Sequence, residues 1–125
     1  MKYRVFDGHC DTPVELWMRG ESLRKNALAV SLEQATRFGG YAQFFAFCTA
    51  WIENDLPHTE QYRRALDYFS AQLRGNADAA ALCRTAEDAE RAMSEGKTAA
   101  FLAIEGAEAI GCDPGRLDEA YEQGV

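Results

Sequence analysis

Three short runs of apolar residues stand out along the chain, separated by longer segments in which apolar residues recur every three or four positions. The first run begins at Val5, and the other two cover residues 41–48 and 98–106. Each run has the length of a buried strand. The first run leads directly into His9 and Asp11, and the last ends at Glu105 and Gly106. Because the runs are continuously apolar and do not alternate with polar residues, they predict parallel strands covered by helices.

The intervening segments carry helix signals at their ends. Pro13 can open a helix that Gly20 ends, and Ser31 can cap a short one that stops before Gly39. The hydroxyl of Thr85 and the carboxylate of Asp88 have the spacing of a capping box. The predicted helices therefore cover residues 13–19, 31–38, 57–74, 85–95 and 114–124, with a loop at 21–30.

Strands and helices alternate in this order along the whole sequence, which predicts an α/β fold with a parallel sheet and outer helices. No repeat, low-complexity tract or composition change marks an internal boundary. Residues 1–125 are accordingly interpreted as part of one domain.

The composition narrows the classes of function. At 125 residues and 47% hydrophobic, the chain has enough apolar material for a real core. The net charge of -7 argues against a nucleic-acid surface, which needs clustered Lys and Arg. No apolar stretch approaches the roughly 20 residues of a membrane span. The four cysteines form no C-x-x-C pair, so we expect reduced thiols in a cytoplasmic protein without membrane contact.

Candidate chemistry is concentrated at the strand ends. His9 and Asp11 are two positions apart and share one side of an extended segment, whereas Cys10 between them is expected to point away and pack. Glu105 ends the third strand, and carboxyl ends of parallel strands gather at one edge of a sheet. An imidazole and two carboxylates at that edge could hold a divalent metal ion. The alternatives are a hydrogen-bonded pair for His9 and Asp11 and a solvated surface carboxylate for Glu105. The second histidine, His58, is expected to be exposed and without a role.

Three stretches taken together resemble the membrane (renal) dipeptidase family of zinc peptidases, in the amidohydrolase superfamily. They are Asp-Gly-His-Cys-Asp-Thr-Pro at 7–13, Gly-Gly-Tyr-Ala-Gln-Phe-Phe at 39–45 and Ala-Ile-Glu-Gly-Ala-Glu-Ala-Ile-Gly at 103–111. Residues 117–125 also resemble the helix before that family's fourth strand. Family members often carry Asn in place of Cys10 and Gly-His in place of Ala107 and Glu108, and neither difference falls on a ligand.

The resemblance implies a (β/α)₈ barrel of the TIM type with two zinc ions at its mouth. His9 and Asp11 are implied as ligands of the first ion, and Glu105 as the carboxylate that bridges both. The implied reaction is hydrolysis of the peptide bond of dipeptides by a metal-bridging hydroxide. The partner is then a dipeptide or a similar small amide.

The chain differs from members of the family mainly in its length. A barrel of this kind needs about 250 residues and eight strand-helix units, whereas the sequence predicts three units. Residues 1–125 are therefore interpreted as the N-terminal portion of an incomplete barrel, inactive alone and dependent on a C-terminal part or on self-association. The alternatives are another His-x-Asp amidohydrolase, such as a deaminase or lactonase, and a non-catalytic α/β assembly module.

Overall fold

The fold is built on one sheet of four parallel strands, seen in a computed structural model that describes residues 2–125. The strands are β1 (Arg4–Cys10), β2 (Gly40–Cys48), β3 (Ala80–Leu82) and β4 (Thr98–Glu105). Their order across the sheet is β1-β2-β4-β3, and every neighbouring pair is parallel. The α/β fold class with parallel strands is confirmed.

Five helices connect or flank the strands. They are α1 (Thr12–Arg19), α2 (Leu32–Ala35), α3 (His58–Gly75), α4 (Ala86–Ser94) and α5 (Leu117–Glu122), with 3₁₀ turns at Ala107–Ile110 and Pro114–Arg116. The predicted caps are present: Ser31 accepts the Gln34 N–H, and Thr85 and Asp88 form a capping box. Among the described residues, no helix combines the length and the apolar character that a membrane span requires.

Two of the predicted helices differ from the observed ones by more than one residue at an end. The helix expected at 31–38 ends at Ala35, because the chain already approaches β1 and the Gly39 N–H donates to the Tyr3 carbonyl at 2.8 Å. The helix expected at 114–124 is divided into a 3₁₀ turn and α5. The turn forms because the Asp113 side chain accepts the Gly115 N–H at 2.9 Å and tightens the backbone there.

Strand β3 is the one strand that the sequence did not predict. It has three residues, and its alanines have low strand propensity, so neither periodicity nor composition marks it. It pairs only with the first part of β4, from Thr98 to Ala100. The sheet thus has four strands where three were expected, but the three predicted strands remain direct neighbours in the order β1-β2-β4.

The two faces of the sheet are covered differently. The α3 face carries Phe45, Phe47 and Leu102, which belong to the main core with Phe69 of α3. The opposite face, here called the Phe6 face, carries Phe6, Phe44 and Phe101, whose rings are in contact. Helix α4 packs on the Phe6 face through Ala89 and Ala92.

The reversal in strand order explains this division. The connection through α3 runs outward from β2 to the edge strand β3, and the connection through α4 runs back from β3 to β4. Parallel crossovers keep one handedness, so connections that run in opposite directions must lie on opposite faces of the sheet. The carboxyl ends of β1, β2 and β4 are therefore left side by side at one edge.

Candidate metal centre

Three predicted side chains meet at the carboxyl edge of the sheet. The His9 Nε2 atom lies 3.1 Å from Glu105 Oε2 and 3.5 Å from Asp11 Oδ1. One ligand atom from each residue lies within 4.8 Å of the other two. The convergence that the parallel-strand argument predicted is therefore present in the structure.

The sheet geometry explains how residues on separate strands come so close. β1 and β4 are both paired with β2, and neighbouring strands are about 4.8 Å apart, so His9 and Glu105 must reach toward each other across β2. On the face where these two side chains meet, β2 carries Ala46, which lies two residues after Phe44 and on the same side of the strand. A methyl group at this position leaves room for the imidazole and the carboxylate to meet above it.

Asp11 lies at the first turn of α1 but does not cap it. It occupies the N-cap position, yet its side chain makes no capping hydrogen bond, and its backbone carbonyl alone accepts from Val14. The Oδ1 atom of Asp11 is buried and has no hydrogen-bond donor among residues 2–125. A buried carboxylate oxygen without a donor is costly, so a cation bound beside it would stabilise this atom.

The centre is acidic and open to solvent. The side chains of His9, Asp11 and Glu105 are 52%, 40% and 53% exposed. Half-exposed ion pairs of this kind contribute little to stability, so the cluster is not explained by a need to hold the fold together. Two carboxylates that share one imidazole instead leave a net negative charge at the edge of the sheet.

Cys48, which the sequence analysis did not assign to the centre, adjoins it. Cys48 ends β2 and lies opposite Glu105 in the ladder, and burial followed by the carboxylates of Glu105, Asp11 and Glu108 raises its pKa. The signal for Cys48 was available, because it is the last residue of a predicted strand. Its distance from Glu105 depends on strand register, which the sequence alone does not specify.

The other two candidate side chains lie as follows. Cys10 is buried in the core on the α3 face, as expected, and burial raises its pKa to about 11. His58 is the first residue of α3 and is half-buried, not exposed as predicted. The reason is its position at the start of a helix that packs against β2 and α1. It is not part of the three-residue cluster.

The donor atoms fit a zinc ion. Zinc binds imidazole nitrogen and carboxylate oxygen at about 2.1 Å in tetrahedral sites, which places ligand atoms about 3.4 Å from one another. The separations of 3.1 and 3.5 Å from His9 Nε2 lie on either side of that value, and all three ligand atoms lie within 4.8 Å of one another. A cation there would also give Asp11 Oδ1 the hydrogen-bond or charge partner that it lacks among residues 2–125.

The family assignment agrees with this geometry. The sequence matches the family model for membrane dipeptidase, peptidase family M19, over residues 1–125. The chain belongs to the membrane dipeptidase family. None of the curated proteins compared with the sequence matches it significantly.

Three solved structures have a fold similar to that of this chain. The chain aligns over its full length with the metallopeptidase dipeptidase AC of family M19, at a TM-score of 0.77, 23% identity and 41% of that chain. A metallopeptidase from Rhodobacter sphaeroides, liganded with a phosphinate mimic of the dipeptide L-Ala-D-Ala, aligns over 100% of this chain and 44% of its own at TM-score 0.77 and 20% identity.

The third structure is the probable dipeptidase PvdM from Pseudomonas aeruginosa, with a TM-score of 0.66, 19% identity, and coverage of 99% of this chain and 32% of that one. The chain thus spans less than half of the length of each of these structures. The expected resemblance to the first units of a dipeptidase barrel is confirmed at the level of the fold.

The inward placement of Cys10, between two candidate ligands, can be tested through the reactivity of its thiol. We expect Cys10 to be alkylated by iodoacetamide at pH 8 much more slowly than the exposed Cys112. With a pKa of about 11 in place of 9.0, the thiolate fraction of Cys10 falls about 100-fold, and burial adds a steric barrier. Peptide mapping by mass spectrometry measures both rates. Equal rates in the folded protein would contradict the inward placement of Cys10, and equal rates in guanidinium provide the control.

Proposed function

We propose that residues 1–125 carry the first half of the metal centre of a zinc-dependent dipeptidase. His9 and Asp11 would hold the first zinc ion, and Glu105 would be shared between this ion and a second one. The observation that carries the proposal is the approach of one nitrogen and two oxygen donors to within 4.8 Å, in a chain of the M19 family.

The residues of this chain have separate tasks in the proposed reaction. When bound, the two zinc ions supply Lewis acids that activate water and polarise the scissile carbonyl. Glu105 would hold both ions with one carboxylate, and His9 would supply a nitrogen donor. The two carboxylates offset the positive charge of the metal. The exposure of about half of each side chain leaves the centre accessible to a small substrate.

A dipeptide is the proposed substrate. The Rhodobacter sphaeroides structure holds a mimic of L-Ala-D-Ala, and the family model bears the name of dipeptidases. A site at the rim of a barrel admits a short peptide, whose two ends can be recognised by loops around the rim. Residues outside 1–125 are proposed to determine which dipeptide side chains the enzyme prefers.

The remaining strands of the barrel are proposed to come from outside these residues. β3 covers only the first three residues of the outer edge of β4, so among residues 2–125 the edge from Phe101 to Glu105 has no paired strand. Unpaired N–H and C=O groups along an apolar strand favour pairing with a further strand. Such a strand would lie next to Glu105, where additional ligands for the second ion are needed.

The zinc-binding residues can be tested by substitution. We expect the His9→Ala and Glu105→Gln variants to bind zinc much more weakly than the unaltered chain in isothermal titration calorimetry. The loss should exceed the ~10–100-fold that removal of a group outside the ligand shell costs, because each variant removes a ligand itself.

Matched controls separate this centre from adventitious zinc binding. His58→Ala removes the other histidine, and Glu108→Gln removes the neighbouring carboxylate, and both should retain the affinity. Equal zinc binding by His9→Ala and the unaltered chain would refute the proposed centre. It would favour a module in which these side chains only form hydrogen bonds with one another.

Hydrolysis by residues 1–125 alone is expected to be absent. Three ligands hold at most one ion, and the group that handles the proton is proposed to lie outside these residues. The measurement is release of amino acids from L-Ala-D-Ala by the purified chain with added zinc. Turnover that disappears in His9→Ala would show that these residues suffice, whereas turnover that survives in the variant reports a contaminating peptidase.

A further inference from the structure

Strand β1 contains one residue more than its partner β2 over the same length. Asp7 is paired with Gln43 and Cys10 with Phe45, so three steps along β1 correspond to two steps along β2. This is a β-bulge at Gly8 and His9, and His9 itself belongs to the candidate centre. A bulge of this kind locally changes the direction in which the following side chains point.

The bulge determines which face His9 belongs to. Before it, Val5 and Asp7 lie on the α3 face and Phe6 contacts Phe44 on the Phe6 face. Strict alternation would place His9 on the α3 face with Val5, and Cys10 on the opposite face with Phe6. The structure shows the reverse, since Cys10 is in the core of the α3 face and His9 meets Glu105. Without the extra residue, the imidazole would point away from Glu105 and into the helices.

The extra residue also removes a backbone N–H from the ladder. The His9 N–H is donated to Asp7 Oδ1 at 3.1 Å, a bond from the side chain of one residue to the backbone two positions on. Asp side chains stabilise non-ladder backbone in this way. The Asp7 carboxylate is not one of the three ligand groups, so its contact with this centre is through the backbone of His9.

A buried amide from β2 holds the other side of the bulge. The side chain of Gln43 is fully buried, and its Nε2 donates to the carbonyls of Phe44 at 2.8 Å and of Asp7 at 3.4 Å. Its Oε1 accepts from the hydroxyl of Tyr41. The backbone of Asp7 is thus fixed from β2 while its side chain fixes His9, and the bulge has bonds on both sides.

We propose that Asp7 is a positioning residue, whose side chain holds the β1 bulge through the His9 N–H and thereby directs the imidazole toward Asp11 and Glu105. The effect on metal binding rests on the proposed function, whereas the effect on the bulge does not. Asp7 contributes an acceptor oxygen at a fixed distance. Its charge is not required.

Two substitutions separate the acceptor from the charge. Asp7→Asn keeps an oxygen at the same distance and removes the charge, so it should bind zinc within about threefold of the unaltered chain. Asp7→Glu keeps the charge but places the oxygen one methylene farther out, and Asp7→Ala removes it. Both should weaken zinc binding by about 10–100-fold, the usual loss for a group that orients a ligand.

Hydrogen exchange of the His9 amide in the metal-free protein provides a readout that does not depend on zinc. We expect exchange to be at least tenfold faster in Asp7→Ala and Asp7→Glu than in Asp7→Asn and the unaltered chain. The matched control is Asp113→Ala, which removes a similar bond, to the Gly115 N–H, outside the centre. This control should leave both the His9 exchange rate and zinc binding unchanged.

The outcomes distinguish the inference from the proposed function. Unchanged His9 exchange in Asp7→Ala and Asp7→Glu would overturn the inference, as would an Asp7→Asn variant as impaired as Asp7→Glu. If the unaltered chain binds no zinc, the proposed function fails, and the exchange rates still decide whether Asp7 holds the bulge. If Asp7→Ala does not fold, as judged by circular dichroism, the comparison of the Asn and Glu variants decides.

Discussion

The candidate centre depends on the parallel pairing of three strands that are distant in sequence. β2 is paired with β1 on one side and with β4 on the other, and this arrangement, together with the bulge in β1, places His9 Nε2 3.1 Å from Glu105 Oε2. Helix α3 fixes β2 from one face through the contact of Phe69 with Phe45 and Phe47. The packing of the aromatic core and the position of the polar edge are therefore coupled, since a shift of β2 would displace both neighbouring strands.

Charge is the second constraint. Asp11 and Glu105 share His9, and among residues 2–125 neither carboxylate pairs with a lysine or arginine. Several other carboxylates are paired with a nearby arginine or lysine, as where Arg63 and Arg64 lower the pKa of Glu60 to about 2. The edge of the sheet keeps its negative charge, and Glu108 adds to it beside Cys48. A divalent cation bound at this edge would balance that charge.

The sequence predicts the parts of this structure that depend on local signals. The caps at Ser31 and Thr85 and the apolar strands required only neighbouring residues, and a general rule of parallel sheets placed His9 and Glu105 at the same edge. Strand β3 was missed because three residues of alanine and leucine carry no periodicity, and because its partner β4 is what makes it a strand. The bulge in β1 was missed for a similar reason: it is defined by register against β2, a non-local property.

We propose that His9, Asp11 and Glu105 bind one metal ion together. Anomalous diffraction at the zinc absorption edge, from crystals of the protein grown with zinc, would locate the ion. We expect an anomalous peak about 2.1 Å from His9 Nε2 and from one oxygen of each carboxylate. A zinc peak bound elsewhere on residues 1–125, with no density among these three side chains, would contradict it.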